Sequence, residues 1–585
     1  MRFDPAYLRH VVERLESFRS HPLGFRVAGT PEERQATRFI AKEMRDLGLE
    51  EVVEEPVPVD GWRLQEAFVE LEDGTRFECA SFGGVPETGR RGVTGELVAV
   101  GRGGRKQLDR LDVAGKIALV EWQVERLWPY HVGLELGLRG AKAMIVYCPP
   151  GGPFYQSPNA LGTFDGIWHA EGPPCVTIRK EDAPKLRGRV KVVLRAPLTA
   201  GAEAANVVGI LPGRRRGAPL IVAGHHDGWF GAAFDDATGV AITLELARAF
   251  REAGLRPERS IAFVSHTAEE YGIANSAYDW CYGAWYQVVA DHREWATGSP
   301  FYLNVEGSGR PDPFTVDAPP ELAARMRRIC RDAERDGLLP HGWKLGRPNT
   351  WTEVWPFIAA GIPGINVSTF TDEFDRTDYH TQFDTADGVD FGYLAKLTEV
   401  CARMVLDDHR LDFGARAREL RRFELDFPAV EPGDERRRFT AIGRGLYGLD
   451  AIDAPRYPHE QTAADIEHLE RALEDPQNAE KHLARVGINW LCADLSHEAF
   501  RIERGRRGRR ARRACWGVQG DADPGPDLWR ELAALRGERP TGPWLDRSLR
   551  RHLARSRREL DRRRDRMKAA AEGRVFPLAR AKDLP

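Results

Sequence analysis

The chain predicts a multidomain α/β protein: a mixed, mainly parallel sheet sandwiched by helices, with a mostly β insertion before it and a helical domain after it. Three observations carry this expectation. From 205 to about 412, apolar runs alternate with helical patterns, as in a largely parallel sheet covered on both faces. From about 55 to 200 the texture is short alternating runs separated by Gly/Pro turns. After 413 strand signals nearly vanish and Arg-rich helical patterns take over. At 585 residues the chain is also too long for one hydrophobic core.

The elements follow in order. The first fifty residues hold two helical patterns, roughly 5–18 and 31–48. The second is opened by GTPEE, with Pro near the first turn and acids at the positive end of the helix dipole. The runs AFVELEDG, ELVAVG, KIALVEW, AMIVYC and RVKVVLRA then read as strands, with one helix near 133–142. Regular alternation begins with strands NVVGILPG and PLIVAGHH, followed by helix 236–253, strand SIAFVSH and helix 274–291. It continues with strand FYLNVEG, helix 319–336, strand GINVST and helix 390–407. Helical patterns at 462–486 and 543–570 close the chain.

Composition excludes little but locates charge. With 42% hydrophobic residues, 30% charged and a formal net charge of −3, nothing commits the protein to a polyanionic partner. Residues 501–585 nevertheless hold 25 Lys+Arg against 12 Asp+Glu, so the tail is basic and the body acidic. The N-terminal MRFDPAYLRHVVERLESF reads as an amphipathic helix rather than a secretory signal, and no run of 18 apolar residues points to a membrane span. The eight cysteines form no CxxC pair and mostly sit in apolar contexts such as MIVYC, as free thiols in a reducing cytoplasm would.

Chemistry gathers where strands end. PLIVAGHHDG runs from a strand into a loop, at the carboxyl edge of the sheet where open α/β folds bind ligands. Neighbours on an extended chain point to opposite faces, so His225 and His226 do not share a metal, whereas His225 and Asp227 lie on one side. That spacing suits His225 as a metal ligand held from behind by Asp227. In FDDATG, Asp235 could project back into the same pocket; a plain helix N-cap is the stronger reading of that segment alone. The next strand ends in the adjacent acids Glu269 and Glu270, costly at a sheet edge unless a cation compensates or one carries a proton. The third delivers Glu306 and the fourth is followed by His380. Two histidines and several carboxylates without thiolates form the ligand set of a pair of hydrolytic metals.

In order, the motifs HHD, GAAFDDATG, TAEEYG, LNVE and DYHTQFDT resemble the signature of the co-catalytic zinc exopeptidases, the family of bacterial leucyl aminopeptidases, glutamate carboxypeptidase II and the transferrin receptor. The resemblance implies a zinc exopeptidase fold and two Zn2+ per chain. Asp235 would bridge both ions, His225 and Glu306 would complete one site, Glu270 and His380 the other, and Glu269 would be the general base. Tyr379 matches a position whose hydroxyl in some relatives holds substrate or oxyanion; a packed aromatic is the competing reading. VAGKIALVEW, LGLRGAKAMIVYCPPGG and PPCVTIRKEDAPKLRG, within roughly 60–195, resemble the protease-associated domain inserted in this family. The expected divisions are 1–55, the N-terminal helical part of the catalytic domain; 56–200, the protease-associated domain; 201–412, the di-zinc catalytic domain; and 413–585, an Arg-rich helical domain.

That last domain resembles, by position, the dimerisation domain of two family branches, which implies a homodimer. The sequence departs from the family at Thr352 and Glu353, where Ser-Asp is common, at His266 and Asn275, and at Glu306, where many relatives have Asp. The first four bear on substrate preference, whereas Glu306 lengthens one ligand arm by a methylene, which zinc accepts. The expected substrate is a small peptide or peptide-like amide, with a free amine or a free carboxylate equally open. Competing readings are a nucleic-acid or partner-binding protein acting through ERGRRGRRARR and the 547–568 run, a single-zinc cyclase, or a non-catalytic receptor on the same fold. The arginine runs read more simply as solvated helix faces with little aromatic interleaving.

Overall fold

In the computed structural model the described residues are 1–418, apart from 20, 104, 123–128, 153, 164–171, 274–280, 349–351 and 415, together with isolated positions beyond 418. The alternating stretch builds an eight-stranded mixed sheet. Its order is Glu50–Trp62, Leu198–Leu211, Arg259–His266, Arg215–His225, Tyr302–Val305, Gly364–Ser368, Phe314–Asp317 and Trp343–Gly346. The four strands from Arg259–His266 to Gly364–Ser368 run parallel. Glu50–Trp62 pairs antiparallel with Leu198–Leu211, which pairs antiparallel with Arg259–His266. The apolar runs of the central strands leave almost nothing exposed, as strands covered on both faces require.

Helices Pro5–Glu16, Pro31–Asp46, Thr238–Glu252, Pro320–Arg335 and Phe391–Val405 supply the cover. Pro31–Asp46 begins as its sequence dictates, with Thr30 accepting the Glu33 N–H at 3.3 Å and Pro in the first turn. Thr238–Glu252 buries twelve of its fifteen residues and lies close on the central strands because it opens on Gly239. A Cβ there would stand 2.3 Å from the carbonyl oxygen of Val305. Burial of side chains such as Ile242, Leu244 and Phe250, each fully covered, stabilises the sandwich by roughly 1.5–3 kcal/mol apiece.

A second, seven-stranded sheet occupies Glu66–Leu71 to Arg189–Arg195, in the order Arg76–Glu78, Glu66–Leu71, Arg189–Arg195, Val93–Ala99, Ile117–Glu121, Ala143–Tyr147 and Cys175–Thr177. It has its own buried cluster, which includes Val120, Ile145 and Val192. The chain enters and leaves it through Glu50–Trp62 and Leu198–Leu211, so both connections belong to the first sheet. Among the described residues no helix is long and apolar enough to cross a membrane. The helical expectation for 413–585 falls almost wholly outside the described residues. One described contact ties its start to the first sheet's cover: Arg416 Nε donates to Glu321 Oε1 at 2.9 Å, both side chains fully buried.

Candidate metal centre and active site

His225 ends the strand Arg215–His225; Glu269 and Glu270 follow Arg259–His266; Glu306 follows Tyr302–Val305; His380 lies beyond Gly364–Ser368. Four parallel strands thus deliver the polar residues to one edge, where they meet. His225 Nε2 stands 3.3 Å from Asp235 Oδ1 and 3.6 Å from Glu306 Oε2. His380 Nε2 stands 3.5 Å from Asp235 Oδ2 and 3.1 Å from Glu270 Oε2. Asp235 is therefore approached on its two oxygens by two different imidazoles. Its placement comes from the turn before the helix Thr238–Glu252, where the Asp235–Asp236 peptide is cis.

Asp227 holds the loop of the paired glutamates. Its Oδ1 accepts the N–H of Glu269 and its Oδ2 that of Glu270, both at 3.1 Å. Its Oδ1 is also 3.7 Å from His225 Nδ1, whose nearer neighbour is the backbone oxygen of Asp227 at 3.2 Å. Asp236 and His226 turn to the scaffold. Asp236 accepts the N–H of His225 at 3.1 Å and of Gly239 at 2.9 Å, although one of its oxygens also lies within 4.8 Å of candidate ligand atoms of His225 and Glu306. His226 is fully buried between Ser265 Oγ at 2.9 Å and Glu33 Oε1 at 3.0 Å, which ties the site's floor to the helix Pro31–Asp46. The Tyr379 ring stacks on that of His380 with centroids 3.6 Å apart, and its edges meet Phe370 and Phe374.

The electrostatics are those of a crowded acidic pocket. Burial pushes the Glu269 carboxyl well up, and Glu270 to about 8 despite the opposing pull of His380. Glu353 is raised by burial and then by Glu306. Burial alone would lower His225, but Asp227, Asp235 and Glu306 outweigh it and hold the imidazole well above its usual range. Burial would raise Asp235, yet His225 and His380 bring it down to about 2. Oε1 of Glu270 and Oε1 of Glu353 are buried without a hydrogen-bond partner among the described residues. Excess buried negative charge with orphaned oxygens is what divalent cations relieve, and an all-N/O donor set of imidazoles and carboxylates suits zinc.

The residues of this centre lie in a stretch that is similar to known proteins. The profile of Peptidase family M28 matches residues 206–405. Aminopeptidase YwaD of Bacillus subtilis (strain 168) is 29% identical over 263 residues, which cover 44% of this chain and 54% of that protein. Carboxypeptidase Q of Homo sapiens is 26% identical over 269 residues, covering 43% of this chain and 56% of that protein. The chain thus spans about half the length of these relatives. The solved structure of BSAP, a zinc aminopeptidase from Bacillus subtilis, shares the fold with a TM-score of 0.55 at 21% identity, over 69% of this chain and 94% of that one.

The site also brings in groups whose importance the sequence signalled weakly or not at all. Glu353, noted only as a departure on the pocket's flank, is fully buried with an oxygen within 4.8 Å of ligand atoms of Glu269 and Glu306. Asn304 bridges the two acids, with Nδ2 2.9 Å from Glu306 Oε1 and 2.8 Å from Glu353 Oε2; the Asn of the LNVE motif pointed to it. Asp384 accepts the N–H groups of Phe234 at 2.7 Å and Asp235 at 3.1 Å, and burial raises it to about 7. Cys281 places Sγ 3.1 Å from Glu269 Oε1. No sequence signal marked that thiol, since its partner is twelve residues away in the chain.

Proposed function

We propose that the protein is a zinc-dependent exopeptidase that cleaves amide bonds of small peptides or peptide-like substrates at a centre of two zinc ions. His225, Asp235 and Glu306 would hold one ion; Asp235, Glu270 and His380 the other. The observation that carries this reading is Asp235, met on Oδ1 by His225 and on Oδ2 by His380, the geometry of a shared carboxylate. Since the His225 and Glu306 half is present beside the other, two ions are favoured over the single zinc of a cyclase, and the intact donor set is favoured over a non-catalytic receptor. The nucleic-acid reading rests on residues that lie mostly outside those described.

Zinc, when bound, supplies Lewis acidity that polarises a carbonyl and activates water. The chain's own groups do the rest. Glu269 lies against Cys281 rather than in the histidine contacts, and burial raises its carboxyl well above the ordinary glutamate range, so it holds a proton more readily than an exposed glutamate. It is the proposed general base, taking a proton from water and delivering it to the leaving amine. Asp227 fixes its backbone, and Tyr379, stacked on His380, is the proposed substrate-holding hydroxyl.

The seven-stranded sheet is proposed as a protease-associated domain from the resemblance of its sequence. A homodimer through 413–585 follows from position in the chain. The six described cysteines are free and buried, which fits a cytoplasmic location. The test of function is a hydrolysis screen of the zinc-loaded chain on free-amine dipeptides, N-blocked dipeptides and aminoacyl amides. Glu269→Gln should lower turnover by roughly 10²–10⁴-fold while both zinc ions stay bound. A wild-type chain that carries two ions and cleaves none of these substrates at any pH overturns the proposal.

A further inference from the structure

His380 has a backbone φ of +50°, in the left-handed region that non-glycine residues rarely enter. Such a conformation persists only where neighbours hold it, and here several of those neighbours come from the unit of the second sheet. Thr163 N–H donates to the His380 carbonyl at 3.0 Å, and Gly162 forms an antiparallel bridge with Thr381. Leu161 N–H donates to Gln382 Oε1 at 2.8 Å, while Gln382 Nε2 returns a bond to the Asn159 carbonyl at 2.8 Å. Ser157 Oγ donates to Asp378 Oδ1 at 2.7 Å, and Gln156 N–H to the Arg376 carbonyl at 2.8 Å. Residues 156–163 are therefore laced along 376–382.

The strap is anchored to its own sheet. Thr177, on the edge strand, donates from Oγ1 to the Gly162 carbonyl at 2.5 Å, and Thr163 Oγ1 donates to the Ser81 carbonyl. Gly162 has no room for a side chain, because a Cβ would stand 2.2 Å from the Tyr155 ring. The other half of the centre is fixed differently. His225 ends a central strand, with its N–H on Asp236, and the N–H of Glu306 donates to the Val367 carbonyl at 2.9 Å, all within the first sheet.

We propose that residues 156–163 are a positioning strap that sets the His380 backbone, so that the second sheet governs retention of one metal ion, the one assigned to Asp235, Glu270 and His380, and not the other. This rests on the two-ion reading above. It makes Ser157, Thr163 and Gln382 positioning residues that touch neither metal nor substrate.

The test is Ser157→Ala with Gln382→Ala in the full chain. Both side chains are half-buried and away from the ligand atoms, and their loss removes three of the seam's hydrogen bonds. Stepwise zinc affinities are read by competition with a chromophoric chelator, with circular dichroism to verify the fold. The wild type should take two ions; the variant should hold one at wild-type affinity and release the other tenfold or more readily. Two unchanged affinities in the variant overturn the strap, as does an equal weakening of both, which would mean general loosening. A wild type that binds fewer than two ions overturns the reading of the site itself, before the variant is considered. If the double variant does not fold, Gln382→Ala alone removes two of the bonds and must show the same selective weakening.

Discussion

Asp227→Asn exchanges one oxygen for an amide at a position with no solvent exposure. In the wild type each carboxylate oxygen accepts one backbone N–H at 3.1 Å, from Glu269 and from Glu270. An amide accepts at one atom only, so the other N–H faces an NH2 group. Losing one bond to a charged acceptor removes about 1.5–3 kcal/mol, and stranding the buried N–H adds about 1–3 kcal/mol. Arg26, buried and bonded to the carbonyls of Leu15, His226, Gly231 and Ala232, also loses the nearby charge that most favours its ionised form. The total is about 2.5–6 kcal/mol, equivalent to a fall in Tm of roughly 5–20 °C in a domain of this size. Thermal unfolding followed by circular dichroism, on metal-free and zinc-loaded chains, measures it. Turnover should fall as well, because the loop that carries the general base is released. A variant that melts within about 2 °C of wild type would refute the assignment of Asp227 as the holder of that loop.

Two further outcomes are expected. Chelation should abolish hydrolysis and lower Tm; zinc restored at 100 times its Kd should return about 2.7 kcal/mol of stability. A metal-free chain that melts at the loaded temperature would count against a bound cation. His266, buried with Nε2 3.2 Å from the Tyr302 hydroxyl, is held down to about 3 by burial and then by His226 and His225. Its folded value lies below the unfolded one of about 6.5, so its contribution is complete above that pH and is lost as pH falls toward 3. Between pH 6.5 and 5 the loss is about 2 kcal/mol. His266→Phe, beside Phe357, should therefore narrow the Tm difference between pH 7 and pH 5; equal differences in the two proteins would exclude His266 as the cause.

The sequence was most informative where structure is local. The apolar runs that end at His225 and His266 could only be covered strands, and the rule that ligands collect at the carboxyl ends of parallel strands then placed His225, Glu269, Glu270, Glu306 and His380 together. Helices Pro31–Asp46 and Pro320–Arg335 were legible from their periodicity and their first-turn residues. The short strands Phe314–Asp317 and Trp343–Gly346 were not, since four residues at a sheet edge carry too few alternations to stand out.

By itself, then, the sequence determined the alternating architecture and the polar residues at its strand ends, because strand and helix periods and caps depend on neighbours a few positions apart. Only the tertiary structure decided that Asp235 is met from both sides, that Glu353 and Cys281 crowd the glutamates, and that 156–163 laces to 376–382. Those contacts join segments up to 221 positions apart, as between Ser157 and Asp378. They arise from the packing of whole sheets, and packing leaves no periodic mark on either segment.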